Sequence, residues 1–286
     1  MNAATPSPAR TPSLYVVATP LGNLQDLSPR AAQVLGEVGA IAAEDTRHTQ
    51  RLLDAQGLRK RLIAVHEHNE QAAAEQVLAV LAGGASVALV SDAGTPAISD
   101  PGARAVARVR AAGYAVLAVP GPCAAVAALS VAGFLPGGFR FVGFLPPREA
   151  ARRARLEMLR EDGDNLVFYE APHRVVECLA DLAAVFGSER RVLIARELTK
   201  LHEQSAVLAL GEAVAWLEAD ANRRRGEFVL VVEGAPATEP MNAEAERVLA
   251  LLLAELPLKS AARLAAEITG APKKALYARA LALKGA

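Results

Sequence analysis

Ser91-Asp92-Ala93-Gly94-Thr95-Pro96-Ala97-Ile98-Ser99-Asp100-Pro101-Gly102 is the most distinctive loop of this chain. It follows the apolar run 87–90, which is typical of a buried strand, and it precedes a helical pattern over 103–112. In open α/β sheets, small ligands bind just beyond the carboxyl ends of the strands. Glycines let the backbone approach a ligand closely, and prolines hold the shape of a loop. The loop therefore predicts a ligand site in an α/β protein.

Asp100 has a second interpretation. An aspartate followed by a proline often begins an α-helix, with the aspartate as N-cap and the proline at the first helical position. This interpretation explains neither Ser91-Asp92 nor Gly94-Thr95-Pro96. Both roles stay open for Asp100 at this point.

Strand and helix patterns alternate through the first half of the chain. This alternation predicts a mostly parallel sheet with helices on both faces. The predicted strands are 14–18, 39–43, 62–65, 86–91 and 115–119. The predicted helices are 29–38, 46–55, 69–82, 103–112 and 124–132.

The second half departs from strict alternation. Consecutive strand patterns at 191–196 and 205–209, with no helix between them, predict a mixed sheet. Residues 234–240 are typical of a linker, and 242–286 have three helical patterns and no strand. We therefore expect two α/β domains with a cleft between them, preceded by a disordered tail and followed by a helical extension. The expected boundaries are 1–13, 14–134, 140–234 and 241–286.

Composition limits the class of protein. The 286 residues are 52% hydrophobic and 22% charged, which allows a large core and excludes global disorder. The formal net charge is zero, so a polyanionic partner has to meet a local basic patch. The only two cysteines, Cys123 and Cys178, fit a reducing cytoplasm. Residues 111–139 carry no charge, but their glycines and prolines favour a buried strand, a turn and a helix over a membrane span.

Four predicted strands of the first half end in unusual loops. These loops are 18–26, 44–47, 91–102 and 119–124. Loops that follow parallel strands share one edge of a sheet, so these four could line one pocket. The loops offer hydroxyls, carboxylates and backbone amides with little positive charge, which disfavours a phosphate ligand. Neither a P-loop nor a GxGxxG that opens a helix after the first strand is present, so a neutral or cationic nucleoside-like ligand fits better.

These loops, together with residues 168–174 and Ala195-Arg196-Glu197-Leu198-Thr199-Lys200, resemble the tetrapyrrole methylase superfamily. Within it they are similar to the RsmI branch, the small-subunit ribosomal RNA 2′-O-ribose methyltransferases that act on a cytidine. The resemblance runs from about residue 14 to residue 234, and the helical tail is similar to the C-terminal extension of that branch. It implies S-adenosylmethionine in a cleft between two α/β domains, and a homodimer.

On this resemblance, the first-half loops hold the cofactor. The expected cofactor-binding residues are Pro20, Gly22, Asp92, Gly94, Thr95, Pro96, Asp100, Pro120, Gly121 and Ala124. No metal is expected: His66-Glu67-His68 lacks a third ligand at a sensible spacing, so a solvent-facing strand end is the favoured interpretation. Cys123, Phe168 and Tyr169 are expected to be packed residues.

A ribose hydroxyl is a weak nucleophile, so a general base should assist its methylation. The candidate base is Lys200, oriented by Glu197; it needs a pKa lowered by burial. Glu170 and Glu227 are the other candidates, and a structural ion pair or an N-cap is the competing role for each. The resemblance does not fix the base.

An RNA substrate requires positive charge near the site. Arg47, His173, Arg174 and Arg196 are the expected substrate contacts. Further basic clusters are Arg59-Lys60-Arg61, Arg148 with Arg152, Arg153 and Arg155, and Arg223-Arg224-Arg225. Residues 259–286 carry six lysines and arginines against one glutamate, a balance that suits an RNA backbone.

Three functions compete. The favoured one is S-adenosylmethionine-dependent 2′-O-methylation of a cytidine in 16S rRNA, in the cytoplasm and within the 30S subunit. A tetrapyrrole C-methyltransferase uses the same cofactor but has no use for a basic helical tail. A non-catalytic RNA- or nucleotide-binding module does not explain the ligand-type loops gathered at one sheet edge.

Overall fold

The computed structural model describes residues 11–66, 69–134, 137–236 and 243–284. The chain divides into two compact units, Met1–Glu233 and Gly234–Ala286. The first unit holds both sheets. Most of the predicted tail, residues 1–10, and part of the predicted linker lie outside the described residues.

The first sheet has five strands, all parallel. They are β1 (Ser13–Val17), β2 (Ala40–Ala43), β3 (Arg61–Ala64), β4 (Val87–Val90) and β5 (Ala115–Val119). Their spatial order is β3-β2-β4-β1-β5. Strand β1 lies between β4 and β5, and it places Tyr15 opposite Ala88 on β4 and Leu117 on β5. The predicted parallel sheet is confirmed.

Helices cover both faces of the first sheet. They are α1 (Pro29–Glu37), α2 (Thr46–Ala55), α3 (Glu70–Ala82) and α4 (Ala103–Ala111). One face packs against α1 and α2 through residues such as Leu35 and Leu53, and the other packs against α3 and α4 through residues such as Val77 and Val109. The Ser28 hydroxyl accepts from the amide of Ala31 to cap α1, with proline at its first turn.

The second sheet is mixed, as predicted. Its strands are β6 (Phe139–Phe144), β7 (Asn165–Glu170), β8 (Arg191–Arg196), β9 (Gln204–Ala209) and β10 (Phe228–Val232). The spatial order is β6-β7-β10-β8-β9. Only the pairing of β6 with β7 is parallel. One face carries α6 (Glu149–Glu157), α7 (Val175–Phe186) and α8 (Leu210–Glu218).

Helix α5 (Ala124–Ala132) connects the two sheets. It follows β5 of the first sheet, yet Ala125, Ala128 and Ala132 pack against β7, β8 and β10 of the second. Alanine on this face keeps the helix close to the sheet. The expected first domain therefore contributes its last helix to the core of the second sheet. The nine residues of α5 are too few to span a bilayer; within the described ranges, no helix is long and apolar enough to cross a membrane.

The second unit consists of three helices, as expected. They are α9 (Ala243–Glu255), α10 (Leu258–Thr269) and α11 (Lys273–Lys284). Ala245, Leu249 and Leu276 are buried in a small core of their own. Only three residues join α10 to α11, and Gly270 ends α10 in the left-handed region. This is a helix-turn-helix arrangement.

A buried ion pair holds α6 against α7. The carboxylate of Asp181 accepts from Nε of Arg152 and from Nε of Arg153, both at 2.6 Å. The Arg152 and Asp181 side chains are 2% and 4% exposed, whereas Arg153 is half-exposed. Arg152, predicted to belong to an RNA-facing cluster, is therefore a core residue.

We expect Asp181→Asn to lower the free energy of unfolding by about 3 kcal/mol, because it leaves the buried guanidinium of Arg152 with only the exposed carboxylate of Glu177, at 3.8 Å, as counter-charge. Arg153→Gln is the control and should cost less than about 1 kcal/mol, because its cation stays in contact with water. Urea unfolding monitored by circular dichroism measures both. Equal losses for the two variants would contradict this assignment.

Candidate functional site

Two cavities lie side by side at the carboxyl ends of β1, β2 and β4. The first has a volume of about 390 Å³ and the second about 480 Å³. Both are lined by Leu21, Asp92, Ala93 and Glu227, so these four residues form a shared wall. The loop after β1 supplies Leu21, the loop after β4 supplies Asp92 and Ala93, and the residue before β10 supplies Glu227.

The shared wall is fixed by a bridge between the loops after β1 and β4. The amide of Thr19 donates to the carbonyl of Gly94 at 2.9 Å, and the amide of Gly94 donates to the carbonyl of Thr19 at 3.0 Å. The Thr19 hydroxyl also donates to the carbonyl of Ser91 at 3.1 Å. Gly94 has φ +79°, a conformation that side chains other than glycine rarely adopt. The glycine in this loop is therefore required by backbone geometry.

The first cavity is apolar with acidic groups. Its apolar lining comes from both halves of the first unit and includes Ile98, Phe144 and Val229. Five carboxylates line it: Glu44, Asp92, Asp100, Glu170 and Glu227. Among its lining residues there is no lysine, arginine or histidine. The cavity suits a ligand with an apolar body and positive charge.

Burial raises the pKa of Glu44, and the nearby charge of Asp100 raises it further. Burial is also the main cause that raises the pKa of Asp100, with a contribution from Asp92. The Asp92 carboxylate accepts from the amide of Asp45 at 3.0 Å, which ties the loops after β2 and β4 together. These carboxylates repel one another in a partly dry site. A cationic ligand would relieve that repulsion.

Glu170 lies at the end of β7 and is 2% exposed. Its Oε1 accepts from the amide of Ala171 at 2.8 Å and lies 3.4 Å from Nε of Arg174. Its Oε2 is buried without a hydrogen-bond partner. The Cys178 thiol also interacts with this carboxylate, and burial beside Glu170 raises the pKa of the thiol.

A bulge in β6 brings an aromatic side chain to the first cavity. The register between β6 and β7 shifts at Gly143, which has φ +73°. Phe144 follows directly and lines the cavity, with its ring 5.9 Å from that of Tyr169. The Tyr169 hydroxyl accepts from the amide of Ala125 at 3.1 Å, and burial raises the pKa of this tyrosine to about 12. A bulge redirects side chains in this way.

The second cavity has a different chemistry. Helix α2 contributes His48, Thr49 and Arg51 to its lining. Lys200, from the second half of the first unit, also lines it. Lys200 donates to Glu197 and to Glu227, in both cases at 2.9 Å. Burial lowers the pKa of Lys200, but its bonds to these carboxylates outweigh that effect, so the net shift is upward.

Residues 13–214 match the family model described as Tetrapyrrole (Corrin/Porphyrin) Methylases. The chain belongs to the tetrapyrrole methylase family. Residues 239–284 match a second model, described as the RsmI C-terminal HTH domain. The helix-turn-helix of the second unit corresponds to this match.

Curated relatives extend over nearly the whole chain. A protein of Pseudomonas aeruginosa named Ribosomal RNA small subunit methyltransferase I is 53% identical over 96% of this chain and 98% of its own length. A protein of the same name from Escherichia coli O157:H7 is 52% identical over 95% of this chain and 96% of its own length.

Solved structures share the fold of this tetrapyrrole methylase. The uroporphyrin-III-C-methyltransferase of Thermus thermophilus has a TM-score of 0.55 at 21% identity, covering 78% of this chain and 94% of that one. The methyltransferase CobJ has a TM-score of 0.59 at 20% identity, covering 78% and 95%. At these identities the likeness concerns the fold alone.

The predicted cofactor residues divide between the two cavities. Gly94, Thr95, Asp100 and Ala124 line the first cavity, Pro20 and Gly22 line the second, and Asp92 lines both. Pro96, Pro120 and Gly121 are absent from the lining of either cavity in the described structure. Gly121 instead packs on Ala18, where an added Cβ would lie 3.1 Å from the Ala18 Cβ.

Asp100 does not cap α4. The helix begins at Ala103, and its N-cap is Gly102 at φ +129°. The amide of Gly102 donates to the buried carboxylate of Glu70, which comes from α3. The N-cap interpretation of Asp100 and Pro101 is therefore wrong, because a carboxylate from a neighbouring helix occupies that role.

Two of the three predicted catalytic residues, Glu197 and Lys200, contact each other, and the role expected of Lys200 needs a correction. Glu197 and Lys200 join Glu227 beside the second cavity, and Glu170 lies in the first. The expected general base Lys200 needs a lowered pKa, but the pKa is raised because two carboxylates stabilise its ammonium form. Lys200 is therefore a cation in this geometry. Glu197 and Thr199 have positive φ, so the turn that carries them is strained.

Two of the predicted substrate contacts are structural. Arg196 is buried, and its guanidinium donates to the carbonyls of Arg225 and His202. Arg174 donates to the carbonyls of Leu145 and Pro146. Neither guanidinium is free to meet a phosphate.

The remaining basic residues expected near an RNA fall into two groups. Arg47 and His173 are exposed, and Arg47 pairs with Asp45 at 3.2 Å. In the basic clusters, Lys60 donates to two backbone carbonyls and Arg223 donates to that of Trp216.

Several lining residues were missed in the sequence. Phe144, Phe228 and Val229 are strand residues with no distinguishing signal. Cys123 and Tyr169, expected to be packed residues, line the first cavity. His48 and Arg51 were detectable in principle, because they are three residues apart on one helix face, directly after a ligand-type loop.

The His66-Glu67-His68 motif includes two residues, Glu67 and His68, that lie outside the described part of the chain. Among the residues that the structure does describe, no group of three or more histidines, cysteines, aspartates or glutamates could hold a metal ion.

Proposed function

We propose that this chain methylates the 2′-hydroxyl of a cytidine in small-subunit ribosomal RNA, with S-adenosylmethionine as methyl donor. The observation that carries the proposal is the shared wall. An acidic, apolar cavity suited to a cationic nucleoside adjoins a cavity with basic residues suited to RNA. Relatives that are 52–53% identical over almost the whole chain carry the name of a small-subunit ribosomal RNA methyltransferase.

The first cavity fits S-adenosylmethionine. The cofactor carries a sulfonium, an ammonium and one carboxylate, so its net charge is positive, and the carboxylates of Glu44, Asp92 and Asp100 provide the opposite charge. Its adenosyl group matches the apolar lining that includes Ile98 and Phe144. When bound, this cofactor supplies a methyl group activated by the positive charge on sulfur.

Glu227 is the residue best placed to receive the proton of the ribose hydroxyl. Its carboxylate belongs to the shared wall and accepts a hydrogen bond from the Lys200 ammonium. The side chain of Glu227 is nevertheless 77% exposed. Glu197 is less suitable, because its Oε1 already accepts from Lys200 and from the amide of Glu227. General-base assistance of this kind typically contributes about 10²–10⁴-fold to a rate.

Lys200 and Glu197 then act as positioning residues. Glu197 is held by backbone hydrogen bonds to Glu227 and by its bond to the Lys200 ammonium. The Lys200 stem packs against Gly22, where an added Cβ would clash with Cγ of the lysine. The ammonium is thereby fixed between the two glutamates, and Glu227 is aimed at the boundary of the two cavities.

The alternative is a tetrapyrrole C-methyltransferase, the activity named in two of the structural neighbours. A macrocycle bearing many carboxylates would meet Glu170, Glu227 and Asp92 at the cavity walls, and like charges repel. The helix-turn-helix unit has no counterpart in that reaction. Both features favour RNA as the methyl acceptor.

The test is transfer of a tritiated methyl group to 30S subunits, to naked 16S rRNA and to uroporphyrinogen III. We expect labelling of the ribosomal substrate, with nuclease mapping placing the label on the ribose of a cytidine. Labelling of the tetrapyrrole instead would overturn the proposal. Comparison of 30S subunits with naked RNA shows whether the assembled subunit is the substrate, as we propose.

We expect the affinity for S-adenosylmethionine to rise with pH from about 4 to neutrality. The pKa values of Glu44 and Asp100 lie above their ordinary values of 4.5 and 3.8, so these groups are protonated and neutral at the acidic end of this range. As pH increases through the raised pKa values, both become anions and attract the cation. The contribution of these two groups to the unfolding free energy of the ligand-free protein should fall over the same pH range, because their anionic forms are disfavoured in the folded state.

Isothermal titration calorimetry at several pH values measures this dependence. Glu44→Gln and Asp100→Asn should flatten it and weaken binding near neutral pH by about tenfold, the equivalent of one pKa unit. Glu75→Gln is the matched control, because Glu75 is an exposed residue of α3 that pairs with Arg108 of α4. A pH dependence that persists in both site variants would show that other groups hold the cofactor.

The basic helical unit is proposed to bind the RNA backbone. Lys259 and Lys273 are exposed, whereas Arg263 and Arg279 are paired with glutamates of the same unit. We expect Lys259→Gln with Lys273→Gln to weaken 30S binding and to reduce the slope of log affinity against log salt by about 0.7–0.9 per lost phosphate contact. Affinity for S-adenosylmethionine should not change.

Arg263→Gln is the control for this experiment, since its cation is already paired with Glu267 at 2.8 Å. If the double lysine variant bound 30S subunits with unchanged affinity and salt slope, the helical unit would not be an RNA-binding element.

We also propose that the chain acts as a cytoplasmic homodimer. The edge strand β5 exposes Leu117, and the next two elements expose Val126, Val131 and Phe139, each with 40% or more of its area accessible. Apolar side chains gathered on consecutive elements at a sheet edge are suited to contact with a second copy. Sedimentation equilibrium distinguishes the 29.9 kDa chain from its dimer.

A further inference from the structure

The second cavity contains a buried hydroxyl that has no partner. Thr49 lies on α2, lines this cavity and is 2% exposed. Its amide donates to the carbonyl of Asp45 at 3.0 Å within the helix, but its Oγ1 makes no hydrogen bond. A buried polar group left unpaired costs about 1–3 kcal/mol. A hydroxyl kept at that cost beside an open cavity points to a ligand that supplies the missing bond.

The charges around the cavity indicate what kind of ligand this is. His48 and Arg51 are exposed on α2, and Lys200, which is paired with Glu197 and Glu227, also lines the cavity. Arg47, also on α2, is instead paired with Asp45. Arginine and histidine next to a hydroxyl form a common setting for a phosphate of a nucleic acid backbone. The carboxylates that line this cavity are Asp92 and Glu227, and both belong to the wall that it shares with the first cavity.

The size of the cavity limits how the ligand enters. A volume of about 480 Å³ is in the range of pockets that enclose one drug-sized molecule. A stacked base pair cannot enter such a pocket, whereas one unstacked nucleotide can. Enzymes that modify a base within a duplex extrude its nucleotide in this way, and the size of this cavity requires the same step of a nucleotide that enters it.

We propose that the second cavity binds one extruded nucleotide of a single-stranded RNA segment. The Thr49 hydroxyl supplies a hydrogen bond, Arg51 and His48 contact the phosphate, and the ribose lies toward Glu227. This inference rests on the proposed function and deepens it, because it names the pocket that presents the hydroxyl to the methyl donor. It also makes α2 a determinant of RNA binding.

Thr49→Val is the decisive variant, because valine keeps the shape of threonine and removes only the hydroxyl. We expect the melting temperature of the free protein to stay the same or to rise, since an unpaired buried hydroxyl is lost. We expect KM for 30S subunits to rise about fivefold or more, the equivalent of one hydrogen bond. The dissociation constant for S-adenosylmethionine should not change. A merely structural role for the hydroxyl would give the reverse pattern, a loss of stability with an unchanged KM.

Thr49→Ser is the matched control for that change. Serine keeps the hydroxyl and loses the methyl group, so it should lower the melting temperature slightly and leave KM close to that of the wild type. If Thr49→Val and Thr49→Ser had equal KM values for 30S subunits, Thr49 would not contact the RNA.

The phosphate contacts are tested by Arg51→Gln and His48→Gln, with Arg110→Gln as control. Arg110 is exposed at the carboxyl end of α4. This end of the helix lies near the amino ends of the strands, whereas the cavities lie at their carboxyl ends. Fluorescence anisotropy with a labelled single-stranded RNA of the target sequence measures binding without requiring methyl transfer. We expect weaker binding and a shallower salt dependence for the α2 variants only.

Extrusion is tested with 2-aminopurine placed next to the target nucleotide, whose fluorescence increases when stacking is lost. We expect an increase on binding to the wild-type protein and a smaller one with Thr49→Val. An unchanged signal would overturn the extrusion step. If the wild-type protein methylated RNA and the α2 variants bound RNA equally well, only the proposed nucleotide pocket would be overturned. If the wild-type protein labelled no RNA, the proposed function itself would be overturned.

Discussion

The pair of backbone hydrogen bonds between Thr19 and Gly94 is the constraint on which the site depends. It fastens the loop after β1 to the loop after β4 at the carboxyl edge of the parallel sheet. Leu21, Asp92 and Ala93 stand close to this bridge and form most of the wall between the two cavities. Together with the bond from the Thr19 hydroxyl to the carbonyl of Ser91, it holds the residues of that wall between two chemically distinct cavities.

The sequence was sufficient to predict the architecture and the edge of the sheet where the site lies. Alternating strand and helix patterns carried that prediction, because the periodicity of each element is a local property of the chain. Gly94 and Thr95 were found for the same reason: small residues after an apolar strand are visible without knowledge of any distant partner. Packing between distant elements was not accessible in this way, and α5 shows it, because its alanine face meets the sheet of the other half.

The errors at the site have a common physical origin. Lys200 was expected to be a neutral base, but Glu197 and Glu227, the latter 27 residues away, together hold it as a cation. Arg196 was expected to contact RNA, but the carbonyl of Arg225 occupies its guanidinium. The charge state and the availability of a side chain depend on groups brought near it by the fold, whereas its position at a strand end depends on its own neighbours in sequence. Positions were therefore predicted better than roles.

The division of charge between the cavities suits the proposed reaction. Methyl transfer removes the positive charge of the sulfonium, and transfer of the hydroxyl proton to Glu227 removes a negative charge at the same time. Opposite charges that disappear together are favoured in a medium of low dielectric constant, since neither product needs solvation by water. Glu227 is largely exposed in the free protein, so this benefit arises only when a bound RNA covers the second cavity. The site is therefore expected to be most effective for methyl transfer when the cofactor and the RNA fill both cavities.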